Sequence, residues 1–268
     1  MGVADWIEIG HMDALGRMDT PAHRLDARAK AVVTMAFIGI IMSFPPYEVS
    51  ALTPFVLYPV ALGALGHIPA RPILKKMLVA APFALLIGMF NPLLDRQPMT
   101  ALGPMVISGG WMSFASILLR FALTVGAALT LIACTGIYRL GAGLEKLGVP
   151  RVFVTQLLFL YRYLFVVADE SVTMVRGVVL RSSGKRALRL RVYGTLLGRL
   201  LLRSLDRAER VYRAMVARGF DGEIRLRHQP SFRWMDACFV CICLAFFATA
   251  RTWNLAHGLG LLFTEITP

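Results

Sequence analysis

Three cysteines lie close together near the end of the chain, as Cys238-x-x-Cys241-x-Cys243. Thiolates at such a spacing can bind a soft metal or form a redox pair. A structural zinc site usually needs a second such pair, or histidines at a fixed spacing, and this apolar run holds no histidine. We therefore interpret these cysteines, with Cys134, as small side chains of a hydrophobic core.

Motifs for phosphate binding and catalysis are absent from the sequence. The Gly184-Lys185 step is followed by arginine, and Val179 stands where a phosphate-binding loop has its first glycine. The five histidines are scattered along the chain. The sequence therefore predicts a protein that is not an enzyme and has no catalytic, cofactor-binding or metal-binding residues of its own.

Two short basic motifs are more informative. Leu180-Arg181-Ser182 and Ala217-Arg218-Gly219 each close a segment with helical periodicity. A guanidinium at a helix end can pair with a partner's carboxylate through two hydrogen bonds, and the small residue after it lets another backbone approach. The alternative is a basic helix end that interacts with its own macrodipole and with lipid headgroups. Arg176-Gly177 is a second basic and small pair close to the first motif.

The elements that must position these motifs are apolar. Mean hydropathy is +0.63 and 57% of the residues are hydrophobic, which is too much for a soluble domain of this size. We predict an all-α integral membrane protein with about five transmembrane helices plus a cytoplasmic helical coupling region. The five apolar stretches are about 29–46, 49–66, 77–94, 112–134 and 234–250.

Two features refine these stretches. Pro54 and Pro59 predict a kink in the second. Small residues at four-residue spacing predict close helix packing by the fourth, at Ala122, Gly126, Thr130 and Cys134. We predict that Arg120, near the outer end of the fourth stretch, either extends to the membrane interface or pairs with Asp95.

Basic residues predict the orientation. Of 29 Lys and Arg, 19 lie in 135–233. The positive-inside rule therefore predicts that the N-terminus and 135–232 are cytoplasmic, and that the C-terminus is external. The predicted organisation is 1–134 (a cytoplasmic segment and four transmembrane helices), 135–232 (the coupling-helix region) and 233–268 (the last transmembrane helix and an external tail). Residues 152–168 are apolar enough to span the membrane, but we interpret them as a buried or interfacial helix, because a crossing would export the most basic segment.

Periodicity predicts two helices in the basic region. The segment 195–217 has one apolar face, a stripe of arginines at 199, 203, 207 and 210, and charge pairs Asp206–Arg210 and Glu209–Arg213. The apolar face consists of Leu197, Leu201, Leu205, Ala208, Tyr212 and Met215. We expect Arg199 and Arg203 to face solvent or headgroups. The shorter segment 169–181 directs Val172, Val175, Val179 and Leu180 inward.

In its two basic motifs and in one segment near its start, the chain resembles the transmembrane T component of energy-coupling factor (ECF) transporters. Within that family it resembles the Q-type subunit of cobalt uptake systems. His23-Arg24-Leu25-Asp26-Ala27-Arg28-Ala29-Lys30 is similar to the family's entry to its first membrane helix, which makes Asp26, Arg28 and Lys30 a structural entry motif. Leu180-Arg181-Ser182 and Ala217-Arg218-Gly219 resemble its two Ala-Arg-Ser/Gly coupling motifs, with Leu180 where alanine is usual.

The resemblance implies a scaffold in the inner membrane that binds two cytoplasmic ATPase subunits and a substrate-binding membrane S component of the cobalt type. The partners hydrolyse ATP, and the scaffold transmits their closure to the S component. Two alternatives remain open. One is a self-contained secondary transporter, which would need midplane charges or repeated broken helices. The other is a membrane-anchored binder of anionic lipid or nucleic acid, although no aromatic stacking platform favours nucleic acid.

Overall fold

The computed structural model describes residues 20–45, 49–94, 98–102, 105–181, 190–222 and 232–252. The chain divides into two compact units. One comprises residues 12–143 and 230–268 and is called the bundle here. The other comprises residues 1–11 and 144–229, and its described part, 144–181 and 190–222, is called the helix pair.

The bundle is built from helices of unequal length. They are α1 (Pro21–Arg24), α2 (Ala27–Met42), α3 (Val49–Leu52), α4 (Leu57–Leu65), α5 (Ala70–Met89), α6 (Asn91–Leu94), α7 (Gly109–Thr135), α8 (Ile137–Lys146) and α11 (Trp234–Thr252). The last three residues of α8 belong to the other unit. A short antiparallel hairpin, β1 (Pro98–Leu102) and β2 (Met105–Ser108), precedes α7. The hairpin lies between the third and fourth predicted apolar stretches, where no strand was predicted.

Local sequence explains where these helices begin and end. The Asp26 carboxylate accepts a hydrogen bond from the backbone N–H of Arg28 and so caps α2. A 3₁₀ turn, Thr53–Val56, separates α3 from α4 at Pro54, as the proline predicted. Gly136, with φ +74°, ends α7 and permits the turn into α8.

The core of the bundle is aromatic. The Phe37 ring lies 4.7 Å from that of Tyr58, 5.4 Å from that of Phe247 and 6.1 Å from that of Phe55. These rings bring together α2, the α3–α4 segment and α11. Although α2 has only 16 residues, Val33, Phe37 and Ile41 are completely buried by protein. These apolar residues of α2 therefore pack against neighbouring helices.

The predicted small-residue face of α7 packs closely. Gly126, Thr130 and Cys134 are buried. The Cys134 thiol lies 3.5 Å from the carbonyl oxygen of Leu62, and a Cβ built on Gly66 would come within 2.8 Å of the Cys134 sulfur. Small side chains thus let α7 approach the end of α4.

The helix pair contains α9 (Arg151–Arg181) and α10 (Leu190–Val216). In α9, the predicted interfacial segment 152–168 and the predicted helix 169–181 are one continuous helix. Helices α5, α7, α9 and α11 are each long and apolar enough to cross a membrane, and Val49–Leu65 forms a shorter apolar segment. The prediction of an all-α multi-pass membrane protein is confirmed, with the hairpin as a small addition.

Candidate functional site

Helices α9 and α10 lie antiparallel. The Glu170 carboxylate of α9 accepts hydrogen bonds from Arg203 at 2.5 Å and from Arg207 at 3.4 Å, both on α10. Nearer the start of α9, the Phe159 ring lies 6.4 Å from that of Phe220, just beyond the end of α10. Residue numbers along α9 therefore decrease as the numbers of the neighbouring α10 residues increase.

The face by which α10 packs is not the predicted one. Its half-buried residues recur mostly at four-residue spacing and are Val192, Leu196, Leu200, Ser204, Val211 and Met215. The predicted face starts one residue later, about 100° around the helix. Of its members, only Met215 is half-buried, while Leu197, Leu201, Leu205 and Tyr212 are 59–64% exposed. Helix α10 has two apolar stripes, and periodicity alone did not reveal which of them packs.

The first basic motif lies at the tip of α9. Arg181 is the last residue of the helix and is exposed, and Leu180 is 86% exposed. Ser182 lies outside the described residues. The expected inward direction of Leu180 is therefore wrong, because it lies roughly 80–140° around the helix from the half-buried Val172 and Val175. Val179 shares the face of Val172 but is 48% exposed.

The second motif forms the turn that closes α10. The backbone N–H groups of Arg218 and Phe220 both donate to the carbonyl oxygen of Met215, each at 3.0 Å. Gly219 takes a left-handed conformation, φ +78°, as such helix ends require. Ala217, Arg218 and Gly219 are all exposed.

Antiparallel packing separates the two motifs. The Phe159–Phe220 contact puts Arg218 near residue 159 of α9, and Arg181 lies 22 residues further along that helix. At 1.5 Å per residue, the two arginines are about 33 Å apart. One small groove cannot hold both side chains, so any partner engages them at two places.

Arg176-Gly177 lies in the last third of α9, five residues before its tip. The Arg176 side chain is exposed, and a Cβ built on Gly177 would meet no atom within 4 Å. The surface around Gly177 is thus open to a neighbouring backbone. This pair remains an alternative to Arg181 on geometry.

Charged residues of α10 largely follow expectation. The Arg203 side chain is 63% exposed, as expected, and it also pairs with Glu170 because the two helices bring those side chains together. Arg199 is exposed as expected, and the predicted Glu209–Arg213 ion pair forms.

The entry motif stands at the start of α2, inside the bundle. The backbone N–H of Asp26 donates to the Asp236 carboxylate of α11 at 2.7 Å. The second oxygen of Asp236 accepts from the backbone N–H of Arg233, also at 2.7 Å. Asp236 thus caps its own helix and fixes the beginning of α2. The Arg28 guanidinium nitrogen lies 3.8 Å from Asp26 and completes the charged edge of this cluster.

Lys30 is completely buried. Its ammonium donates to the carbonyl oxygens of Ala22 and Cys134, each at 3.0 Å. Cys134 is one residue from the end of α7, where helix carbonyls lack helical partners and carry partial negative charge. Arg139 of α8 donates to the carbonyl oxygen of His23 at 3.0 Å. Lys30 and Arg139 therefore tie the short α1 segment to α7 and α8.

Sequence reasoning missed Asp236 and Arg139. Asp236 is the third residue of α11, after Arg233, which is the position where an acidic side chain can bond back to the residue before the helix. That capping pattern was readable in the sequence. Its hydrogen bond to Asp26, 210 residues away, was not, because it depends on the packing of α11 against α2.

The expectation that all four cysteines are core residues is corrected. Cys134 is buried and Cys243 is half-buried, but Cys238 and Cys241 are exposed on α11 and are not core residues. They point away from the small bundle core because α11 covers it with one face only. Arg120 donates to the carbonyl oxygen of Pro45 at 2.6 Å. Asp95, the partner predicted for Arg120, lies outside the described residues.

Comparison with known proteins adds a family match. Residues 18–231 match the family model described as CbiQ, cobalt transport protein. The chain is 26% identical over 200 residues to the cobalt transport protein CbiQ of Rhodobacter capsulatus, covering 74% of this chain and 79% of the relative. It is also 25% identical over 227 residues to an uncharacterised protein of Methanocaldococcus jannaschii, covering 81% of this chain and 77% of that protein.

Proposed function

Because the chain belongs to the CbiQ family of cobalt transport proteins, we propose that it is the energy-coupling scaffold of an ATP-driven cobalt importer of the ECF type. It is a multi-pass membrane component of cobalt transport. In the proposed division of labour, two ATPase subunits hydrolyse ATP on the cytoplasmic side and a separate S component holds the ion. This chain joins them and performs no catalysis.

The observation that carries the proposal is the separation of the two basic motifs, which form the tips of the helix pair at the ends of α9 and α10. Arg181 and Arg218 are exposed at opposite ends of one antiparallel pair, about 33 Å apart. Two ATPase subunits side by side offer two separate grooves, and each tip enters one of them. A carboxylate in each groove pairs with the guanidinium.

The charges of α10 support a cytoplasmic position for the pair. The apolar first half of α9, with Val152, Phe153 and Leu160 about two-thirds exposed, is suited to the membrane interface. If residues 156–170 of α9 crossed the hydrocarbon, the neighbouring part of α10 would bring four arginines there, namely Arg203, Arg207, Arg210 and Arg213. Such charges at the midplane are costly. We therefore place 135–232 at the cytoplasmic surface, with the C-terminus outside.

The exposed stripe of α10 is the proposed contact for the S component. Leu197, Leu201, Leu205 and Tyr212 present a continuous apolar surface that the described part of this chain leaves uncovered. An exposed apolar patch of this kind is typical of a site for another membrane protein. The exposed stripe lies beside the packed face of α10, so a partner can bind it without separating α10 from α9. The two packed helices can then move as one unit when their tips are displaced.

Reconstitution tests the division of labour. The purified chain in liposomes is expected to show neither ATP hydrolysis nor cobalt uptake, and co-reconstitution with the ATPase and S subunits is expected to give ATP-dependent uptake. Cobalt uptake by the chain alone would favour a secondary transporter. A cysteine at position 199, in a background without native cysteines, should react with a membrane-impermeant reagent only in inside-out vesicles. Its reaction in intact cells would contradict the orientation.

A further inference from the structure

A groove of about 660 Å³ lies between α9 and α10 within the helix pair. Its apolar wall includes Phe159, Tyr163 and Val166 from α9 and Val211 from α10. Its polar rim carries the side chains of Arg203, Arg207 and Arg210, together with Glu170 and Asp206. The coupling function proposed above uses one of the lining residues, Tyr212, at the edge of the exposed stripe of α10, and assigns no role to the apolar wall or the arginine rim.

The rim has more donors than acceptors. Glu170 gives one carboxylate oxygen to Arg203 and the other to Arg207. Each guanidinium has five N–H donors, so both retain donors for another anion. Three arginines against two carboxylates leave a net positive charge beside an apolar wall.

The geometry points to an anionic phospholipid as the occupant of this groove, with its phosphodiester on Arg203, Arg207 and Arg210 and an acyl chain along the apolar wall. Charge complementarity selects an anionic headgroup, and the apolar wall selects an amphiphile over a free anion. The exposed apolar start of α9 brings the groove to the depth of lipid headgroups. The inference rests on the membrane-surface position proposed above and is independent of ATPase coupling.

Native mass spectrometry of the full chain, purified in detergent, tests this inference. We expect the chain to retain phosphatidylglycerol in preference to phosphatidylcholine with the same acyl chains. Arg203→Gln/Arg207→Gln should weaken phosphatidylglycerol binding by about tenfold or more. The matched control is Arg199→Gln/Arg213→Gln, which removes the same charge from α10 outside the groove and should weaken binding less than threefold.

Glu170→Gln separates lipid binding from helix packing. If the arginines serve the lipid, this variant frees both guanidinium groups from a competing carboxylate, and phosphatidylglycerol affinity should rise or stay the same. If they serve only to hold α9 against α10, affinity should fall as far as in Arg203→Gln/Arg207→Gln. That fall would overturn the inference, as would equal losses in the two arginine double variants.

Two other occupants are distinguished by the same preparation. Full displacement of phosphatidylglycerol by millimolar inorganic phosphate would mean that the rim holds a free anion and would overturn the lipid assignment. In the assembled transporter, a photoreactive residue at Tyr163 should cross-link to lipid. Exclusive cross-linking to a partner subunit would mean that a protein fills the groove, which also contradicts the inference.

Discussion

The charged side chains singled out above are buried in the bundle and exposed in the helix pair. In the bundle, Asp26, Lys30 and Asp236 are buried and hydrogen-bonded to backbone groups. In the helix pair, Arg176, Arg181, Arg199 and Arg218 are exposed. A buried charge loses its hydration energy and needs fixed hydrogen-bond partners to offset the loss, so the bundle's buried charges serve the fold. The exposed charges of the helix pair are available to bind other molecules.

The same contrast applies to apolar surface. Phe37, Phe55 and Phe247 are completely buried in the bundle, whereas α10 leaves Leu201 and Leu202 about 60% exposed. Truncation or repacking inside the bundle should therefore reduce stability. Substitution on the helix pair should leave the isolated chain folded and alter assembly.

The largest stability effect is expected for Lys30→Met. The substitution leaves the carbonyl oxygens of Ala22 and Cys134 without their donor and removes the positive charge that faces Asp26 and Asp236. Breaking such a buried cluster should cost about 3–5 kcal/mol of unfolding free energy. Equilibrium unfolding in a denaturing detergent measures the loss. The control is Lys146→Met, an exposed lysine at the end of α8, which should change stability by about 0.5 kcal/mol or less. Equal losses would remove the distinction between the two kinds of charge.

A smaller loss is expected for Asp236→Ala. Two backbone N–H groups, of Asp26 and Arg233, lose their acceptor and the packing of α11 against α2 loses its polar anchor. We expect a cost of about 2–3 kcal/mol, measured in the same unfolding assay. Asp169→Ala on the exposed side of α9 is the matched control. A variant at 236 that unfolds like the wild-type chain would show that this link is not needed.

Glycine substitutions should change stability in opposite directions in the two regions. A Cβ on Gly143 would come within 3.0 Å of the Ala27 Cβ and 3.3 Å of its backbone, so Gly143→Ala should destabilise the bundle by about 1–3 kcal/mol. A Cβ on Gly198 of α10 would meet no atom within 4 Å. Gly198→Ala should therefore stabilise α10 by about 0.5–1 kcal/mol through its higher helix propensity. Thermal unfolding of both variants checks the signs, and the same sign for both would contradict the comparison.

The fold class could be predicted from the sequence because the length and hydropathy of apolar stretches indicate membrane-spanning helices directly. Prolines located the break between α3 and α4, and four-residue spacing located the packed side of α7. Contacts between distant segments were not readable. The Asp26–Asp236 link and the pairing of Arg203 with Glu170 depend on how helices pack, and periodicity gives no register between helices. For the same reason α10 was assigned the wrong packing face.

The central claim is that position along the pair, and not total charge, determines coupling to the ATPases. It is tested most directly by recovery of ATPase subunits with the tagged chain and by ATP-dependent cobalt uptake, in three double variants. Losing one buried bidentate charge pair should cost about 2–5 kcal/mol at an interface. Arg181→Ala/Arg218→Ala is therefore expected to abolish both recovery and uptake.

Two comparison variants complete that measurement. Arg199→Ala/Arg213→Ala removes the same charge from within α10, at its tenth residue and in its last turn, and leaves Arg181 and Arg218 in place. We expect both recovery and uptake close to wild type. Arg176→Ala/Arg218→Ala tests whether an ATPase subunit binds the tip of α9, at Arg181, or the open surface around Gly177. We expect this variant to retain more uptake than Arg181→Ala/Arg218→Ala. Equal losses in all three would contradict the account and leave only a basic membrane-facing surface. Loss with Arg176→Ala/Arg218→Ala but not with Arg181→Ala/Arg218→Ala would contradict the assignment of Arg181.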